Sequence, residues 1–432
     1  MVRADKTVLN ALKGLPNKFL EKLIADKIKK AGVSEADELA PKLLAHALSG
    51  STEKFIWDDG REETRPDVNI EISAQDLEEV EKKIDAFLKN DLPKVIDKTV
   101  SEAAKGALRE LKKKWPEVDG WHENTMTIFR YNLDARWGKA LDRLRMLLAA
   151  SREIGEERHK RYRRLKRRPQ PVLWDVLFRL HARACQVTEE IILLLESGFA
   201  DGAMARWRTL HEIGVVSTVL VDHGEDIAKR YVAHEVVEAK SAMDEYERSW
   251  LPLGYPPLSN RRKKHLLASY KDVIDAFGKP FGSTYGWAAH HLKRSKPIFS
   301  DLEEAAGRSP TRPYYKMASY NVHASPRGIY DRLGYDAQQM IIAGPTNAGL
   351  TEPGQNAAFS LTLITHFLLR EPYTMPDLIS LRTLADLRDE IPPLFARAES
   401  KLNRDEAKIQ KASKEKSVLK MQRNAAPPEP VS

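Results

Sequence analysis

The sequence predicts an all-α protein: a multi-helix bundle with an additional helical N-terminal region and a disordered C-terminal tail. Three observations carry this. Apolar residues recur at three- and four-residue spacing over most of the 432 residues; the longer amphipathic segments are joined by short breaks such as SGFAD and DHGED; and Gly and Pro, at 22 and 24, are too few for a loop-rich or fibrous chain. With 42% apolar and 31% charged residues the chain can bury a sizeable core, which excludes wholly disordered and collagen-like classes.

Three regions are expected: a helical N-terminal region at 1–115, a central bundle at 116–380, and a C-terminal helix with its tail at 381–432. Over 16–50, Phe19, Leu20, Leu23, Ile24 and Ile28, then Leu39, Leu43, Leu44 and Leu48, mark two short helices, the second capped by Ser34. Residues 51–72 break the pattern and end in the alternating VNIEI, which predicts a loop with one short strand. Ser73 and Asp76 have capping-box spacing for a helix through Leu88, and another is expected over 92–114. Past WPEVDGW the spacing predicts helices over 124–157, 172–197, 201–221 and 225–250, antiparallel neighbours in a bundle. A Pro-rich connection and a basic helix occupy 251–282, 282–354 is turn-rich around a short helix bearing YYKMASYNVH, and a helix over 355–369 closes the bundle. From about Arg397 the chain is Lys-rich and ends in AAPPEPVS, read as a fraying helix and tail.

Charge is concentrated in one place. The chain has 70 Lys and Arg against 62 Asp and Glu, and RHKRYRRLKRR holds eight of those cations and no acid; 70 less 8 leaves 62, a balanced remainder. Arg158, Lys160, Arg161, Arg163, Arg164, Lys166, Arg167 and Arg168 could follow a phosphate backbone, with Tyr162 stacked on a base. The same run also reads as the solvated end of a long helix stopped by Pro169 and Pro171. The single cysteine, Cys185, forms no internal disulfide and fits a reducing compartment, and no stretch approaches the ~18 apolar residues of a spanning helix. A cytoplasmic location is expected, and no membrane partner.

Within ARWRTLHEIGVVSTVLV, Arg208 and Glu212 are four apart and share a row with Val215 and Val219, so both charges are expected to face inward. Such a pair is an internal ion pair fixing helix register or part of a site. ASYNVHASPRG places His323 near a helix end, where imidazole could transfer protons or hydrogen-bond within the fold, for example to Glu212. Arg208, Glu212 and His323 are therefore expected to form an interior polar cluster, in which Arg208 with His323 is a candidate pair for phosphodiester cleavage without metal.

These residues resemble a known family. LLESGFADGAMARWRTLHE followed by YYKMASYNVHAS is similar to the bacterial domain of unknown function 5677 family, on Arg208, Thr209, Leu210 and Glu212 and on Ser319, Val322 and His323, over about 124–369. The resemblance implies an all-helical bacterial domain without an established activity. Arg206 and His211 also have the R-x4-H spacing of HEPN-type ribonucleases, helical domains that cut RNA without metal. That likeness implies a phosphate clamp at Arg206 and proton transfer at His211, in phage defence or stress response. On a regular helix the two side chains stand about 140° apart, so a helix distortion or a partner chain would have to bring them together.

Other chemistry lacks a motif. His181 and Cys185 share a helix face without a second zinc-ligand pair, Glu189 and Glu190 lack a Glu-x-x-His partner, and no Walker loop, GxSxG, HExxH or dinucleotide fingerprint occurs. No metal and no cofactor are expected. The sequence points to a protein directed at RNA or another nucleic acid, with a homodimer as a further expectation; the competing class is a non-catalytic helical interaction module.

Overall fold

The computed structural model describes residues 13–57, 67–330, 340–369 and 373–425, those of 413–425 as backbone only. These residues are almost entirely helical. VNIEI forms no strand, because among the described residues no second strand offers a ladder to its backbone groups. Two compact units divide the chain, Met1–His122 and Glu123–Ser432.

In the first unit, α1 (Leu15–Lys30) and α2 (Ala36–Leu48) pack through Ile24, Ile28, Leu39 and Leu44, with Phe55 and Ile70 of the connecting segment beside them. Helix α2 starts one residue later than Ser34 requires, with Glu35 at the N-cap position. The box that opens α3 (Ala74–Ala86) is formed as expected: Asp76 N donates to Ser73 Oγ at 3.2 Å and Ser73 N to Asp76 Oδ2 at 2.8 Å. Lys27 reaches the same carboxylate at 2.6 Å and ties α1 to α3. A π-helical turn, Phe87–Asp91, leads into α4 (Leu92–Arg163).

Helix α4 runs unbroken through WPEVDGW, where a break between two helices was expected. Pro116 removes one intrahelical hydrogen bond and crowds the carbonyl of Lys112, but both residues are exposed, so water can satisfy the freed carbonyl.

The second unit is built on the continuation of α4 together with α5 (Pro171–Glu196), α6 (Ala200–Ala233), α7 (Glu235–Ser249), α8 (Asn260–Phe277), the short α9 (Ala289–Leu292), α10 (Phe299–Ala305), α11 (Arg312–Tyr320) and α12 (Pro326–Tyr330), then α13 (Thr351–His366) and α14 (Met375–Ala425). Leu133, Trp137, Leu141 and Leu144 of α4 meet Ile191 and Leu195 of α5, Leu210 of α6, Leu361 of α13 and Phe395 of α14 in one core. A second core joins Leu173, Val215, Leu220, Phe281, Trp287 and Leu302.

The break expected at DHGED is a kink inside α6, at Gly224 with φ +75°. It presents Glu225 to the start of α5, where its carboxylate accepts from Val172 N at 3.3 Å and Leu173 N at 3.0 Å. Gln170, itself left-handed at φ 46°, makes no side-chain cap, so Glu225 supplies it from a distant part of the chain. The tail expected after α14 includes 426–432, which lie outside the described residues. No helix among the described residues is long and apolar enough to cross a membrane.

Candidate functional site

Helix α6 carries the polar residues singled out in the sequence and directs them to different neighbours. Arg208 Nε lies 3.3 Å from Glu212 Oε1, as the four-residue spacing predicts, and the third member of the group is Tyr315 on α11. Arg208 Nη2 donates to Tyr315 Oη at 2.8 Å, Tyr315 donates to Glu212 Oε1 at 2.7 Å, and the guanidinium carbon lies 4.7 Å from the tyrosine ring centre. Burial, and then the hydrogen bond to Glu212, hold the Tyr315 phenol protonated well above its usual range. The pair is half-buried rather than interior, because α6 meets only short elements on this side.

His323 does not join the group. It lies in the turn after α11, exposed, and among the described residues no hydrogen bond or ion pair links it to Arg208 or Glu212. Helix α11 ends at Tyr320, and Pro326 starts α12 only six residues later, so the turn carries His323 away while Tyr315, on the helix itself, meets α6.

His211 faces a separate buried group. Its Nε2 donates to Glu303 Oε1 of α10 at 3.0 Å, Arg312 of α11 takes the other carboxylate oxygen, and the rings of Trp207, Phe299 and Tyr315 surround the imidazole. Burial pushes His211 below the usual histidine range, against the opposing pull of Glu303. Arg206 turns elsewhere: it pairs with Glu190 of α5 and reaches Thr209 Oγ1 at 3.3 Å. The R-x4-H pair thus does not converge within the chain, as expected for side chains about 140° apart on an undistorted helix. Its two members cross-link α6 to α5 and to α10, so both are engaged within the fold.

The basic run divides into two parts. Arg158 and Arg161, still on α4, converge on Asp377 of α14 at 3.2 and 3.3 Å. Lys160 pairs with Glu156. Tyr162 packs against Trp174 and Phe178 and donates to Pro169 O at 3.0 Å, so its ring is already stacked inside the protein. Helix α4 ends at Arg163, which is exposed, and Arg164, Lys166, Arg167 and Arg168 follow it in an exposed turn. Among the described residues none of these five forms an ion pair with a carboxylate, and of their side chains Arg168 donates from Nη2 to Arg163 O at 3.0 Å. Beside the turn opens a cleft of about 690 Å³, lined by Arg158, Arg161, Trp174, His366, Phe367 and Tyr373 among others.

A shallower groove of about 490 Å³ lies over His181 and Cys185. Desolvation by burial lowers His181 to about 4 and pushes Cys185 up to about 11, so neither is poised as a base or nucleophile at neutral pH. Among the described residues no three His, Cys, Asp or Glu side chains could hold a metal ion together.

Four residues that shape these sites escaped the sequence: Glu303, Arg312, Tyr315 and Asp377. Glu303 and Glu304 look alike in LEEA, although the first is fully buried and the second exposed. Asp377 had a signal in Thr374-Met-Pro-Asp377, a capping box in which Thr374 N donates to Asp377 Oδ2 at 2.9 Å.

Fold and site together define an all-helical protein with two polar groups between its helices and a basic turn at its surface. Residues 175–340, from α5 to the segment after α12, match a family of unknown function (DUF5677). No curated protein and no solved structure matches the chain.

Proposed function

We propose that this protein binds RNA or another single-stranded nucleic acid through the turn at 163–168. The observation that carries the reading is the presence of five exposed cations on six consecutive residues, none paired with a carboxylate among the described residues. Unpaired Arg and Lys give up only water and counterions when they meet phosphates, so their binding energy is not offset by the loss of an internal ion pair. The aromatic and basic cleft beside them supports a single strand over a duplex, since unstacked bases can enter it and duplex bases cannot. The separate engagements of Arg206 and His211 support binding over metal-independent cleavage by that pair. A nucleic-acid-binding protein of the bacterial cytoplasm, acting in phage defence or stress response, is the setting this reading fits.

The test is fluorescence anisotropy with labelled single-stranded RNA in chelator, followed by a gel of the recovered strand. Saturable binding that falls when Arg163, Arg164, Lys166 and Arg167 are replaced by Ser, with the RNA intact, is expected. Absence of binding, or a variant that binds as the parent does, would overturn the proposal. The competing role, a protein-docking module, is favoured by one observation: the exposed apolar residues of α4 in the first unit.

A further inference from the structure

The stretch of α4 within the first unit is exposed along its length and carries a regular apolar stripe. Ala104, Leu108, Leu111, Trp115 and Val118 follow one another at spacings of four, three, four and three residues, the alternation of a heptad repeat. Leu108, Leu111, Trp115 and Val118 are 44 to 56% exposed, and they form one contiguous apolar stripe rather than single exposed residues. With Leu108 and Trp115 at a positions and Ala104, Leu111 and Val118 at d, the helix-weakening residues fall away from the seam. Gly106 and Gly120 occupy f and Pro116 occupies b, and no atom outside the helix's own backbone approaches within 4 Å of a Cβ built at either glycine. A seam kept clear of helix breakers is the arrangement a partner helix requires.

From this we infer that α4 pairs with α4 of a second copy of this chain, as a parallel, in-register, two-stranded coiled coil over 104–118 and the turn that follows. The flanking charges select both the partner and its direction. In a parallel pair, Lys114 at g faces Asp119 at e of the other copy, and symmetry makes the contact twice. An antiparallel pair centred on Leu111 and Trp115 would offset its two Lys105–Asp119 contacts with two like-charge contacts, Lys112 against Lys112 and Lys114 against Lys114, whereas the parallel pair has no like-charge contact at these positions. The inference stands apart from nucleic-acid binding, since no residue of the basic turn takes part.

Sedimentation velocity of the full chain is the direct test, and a dimer that becomes a monomer on Leu111→Glu is expected. Because these side chains are exposed, the variant should keep the helical circular dichroism of the parent. Lys114→Asp sets two acids against each other and should weaken the dimer; adding Asp119→Lys should restore it. Val118→Cys should cross-link to itself under oxidation, since d positions face each other across a parallel pair, and Cys185 is buried. A parent that stays monomeric at the highest concentration reached in solution would overturn the inference. So would a dimer unchanged by Leu111→Glu, or a charge-swapped double variant as weak as the single one.

Discussion

Replacing Glu303 by Ala probes the buried group around His211 with a magnitude that follows from its surroundings. The carboxylate is fully buried, accepts from His211 Nε2 at 3.0 Å and pairs with Arg312, so the substitution strands a histidine N–H that is 5% exposed and frees a guanidinium. Breaking a buried charge pair costs about 3 to 5 kcal/mol. Arg312 retains 36% of its side-chain surface in solvent and can rehydrate, which places the loss near the lower end, about 3 kcal/mol. Glu303→Gln keeps an acceptor for His211 and loses only the charge, so about half that loss is expected. Urea unfolding followed by circular dichroism reads both values, with the midpoint falling and the slope unchanged. A loss under about 1 kcal/mol for Glu303→Ala would refute a structural role for this group.

Three further outcomes follow from the packing. A methyl group at Gly354 would lie 2.2 Å from Phe395 Cζ in the core, so Gly354→Ala should destabilise by about 1 to 3 kcal/mol in the same unfolding assay, despite the better helix propensity of Ala. His181 is neutral in the fold, where its Nε2 lies 3.2 Å from Thr365 Oγ1, and its folded value of about 4 lies below the unfolded 6.5. The unfolded chain therefore takes up the proton first, and stability falls as pH drops from 6.5 towards 4, by about 3 kcal/mol from this group alone. His181→Asn should flatten that part of the pH profile; a profile identical to the parent's would exclude His181 as its source. Cys185, 5% exposed and held as the thiol, should react with an aromatic disulfide reagent far more slowly in the native protein than in urea, and equal rates would show that its site opens freely.

Helical class was legible because it rests on local periodicity, and so was the contact between Arg208 and Glu212, which are one helical turn apart. Their third partner was not: Tyr315 lies 103 residues beyond Glu212, and YYKMASYNVH offered both tyrosines and His323 without showing which would meet α6. Similarly, the basic run was plain in the sequence, but its division was set by Asp377, which is 216 residues from Arg161 and neutralises two cations of the eight. The helix break expected at WPEVDGW failed for a physical reason: Pro and Gly are weak stops in an exposed helix, where water takes the place of the lost hydrogen bond. At DHGED the glycine did turn the chain, but the helix resumed at once and brought Glu225 to cap α5.

The salt dependence of RNA binding tests the central claim most directly. If Arg163, Arg164, Lys166 and Arg167 each neutralise one phosphate of a single strand, replacing all four with Ser should lower the slope of log affinity against log salt by about 3, at roughly 0.7 per phosphate. Parent and variant should then converge at high salt. Equal slopes for the two proteins would contradict the account.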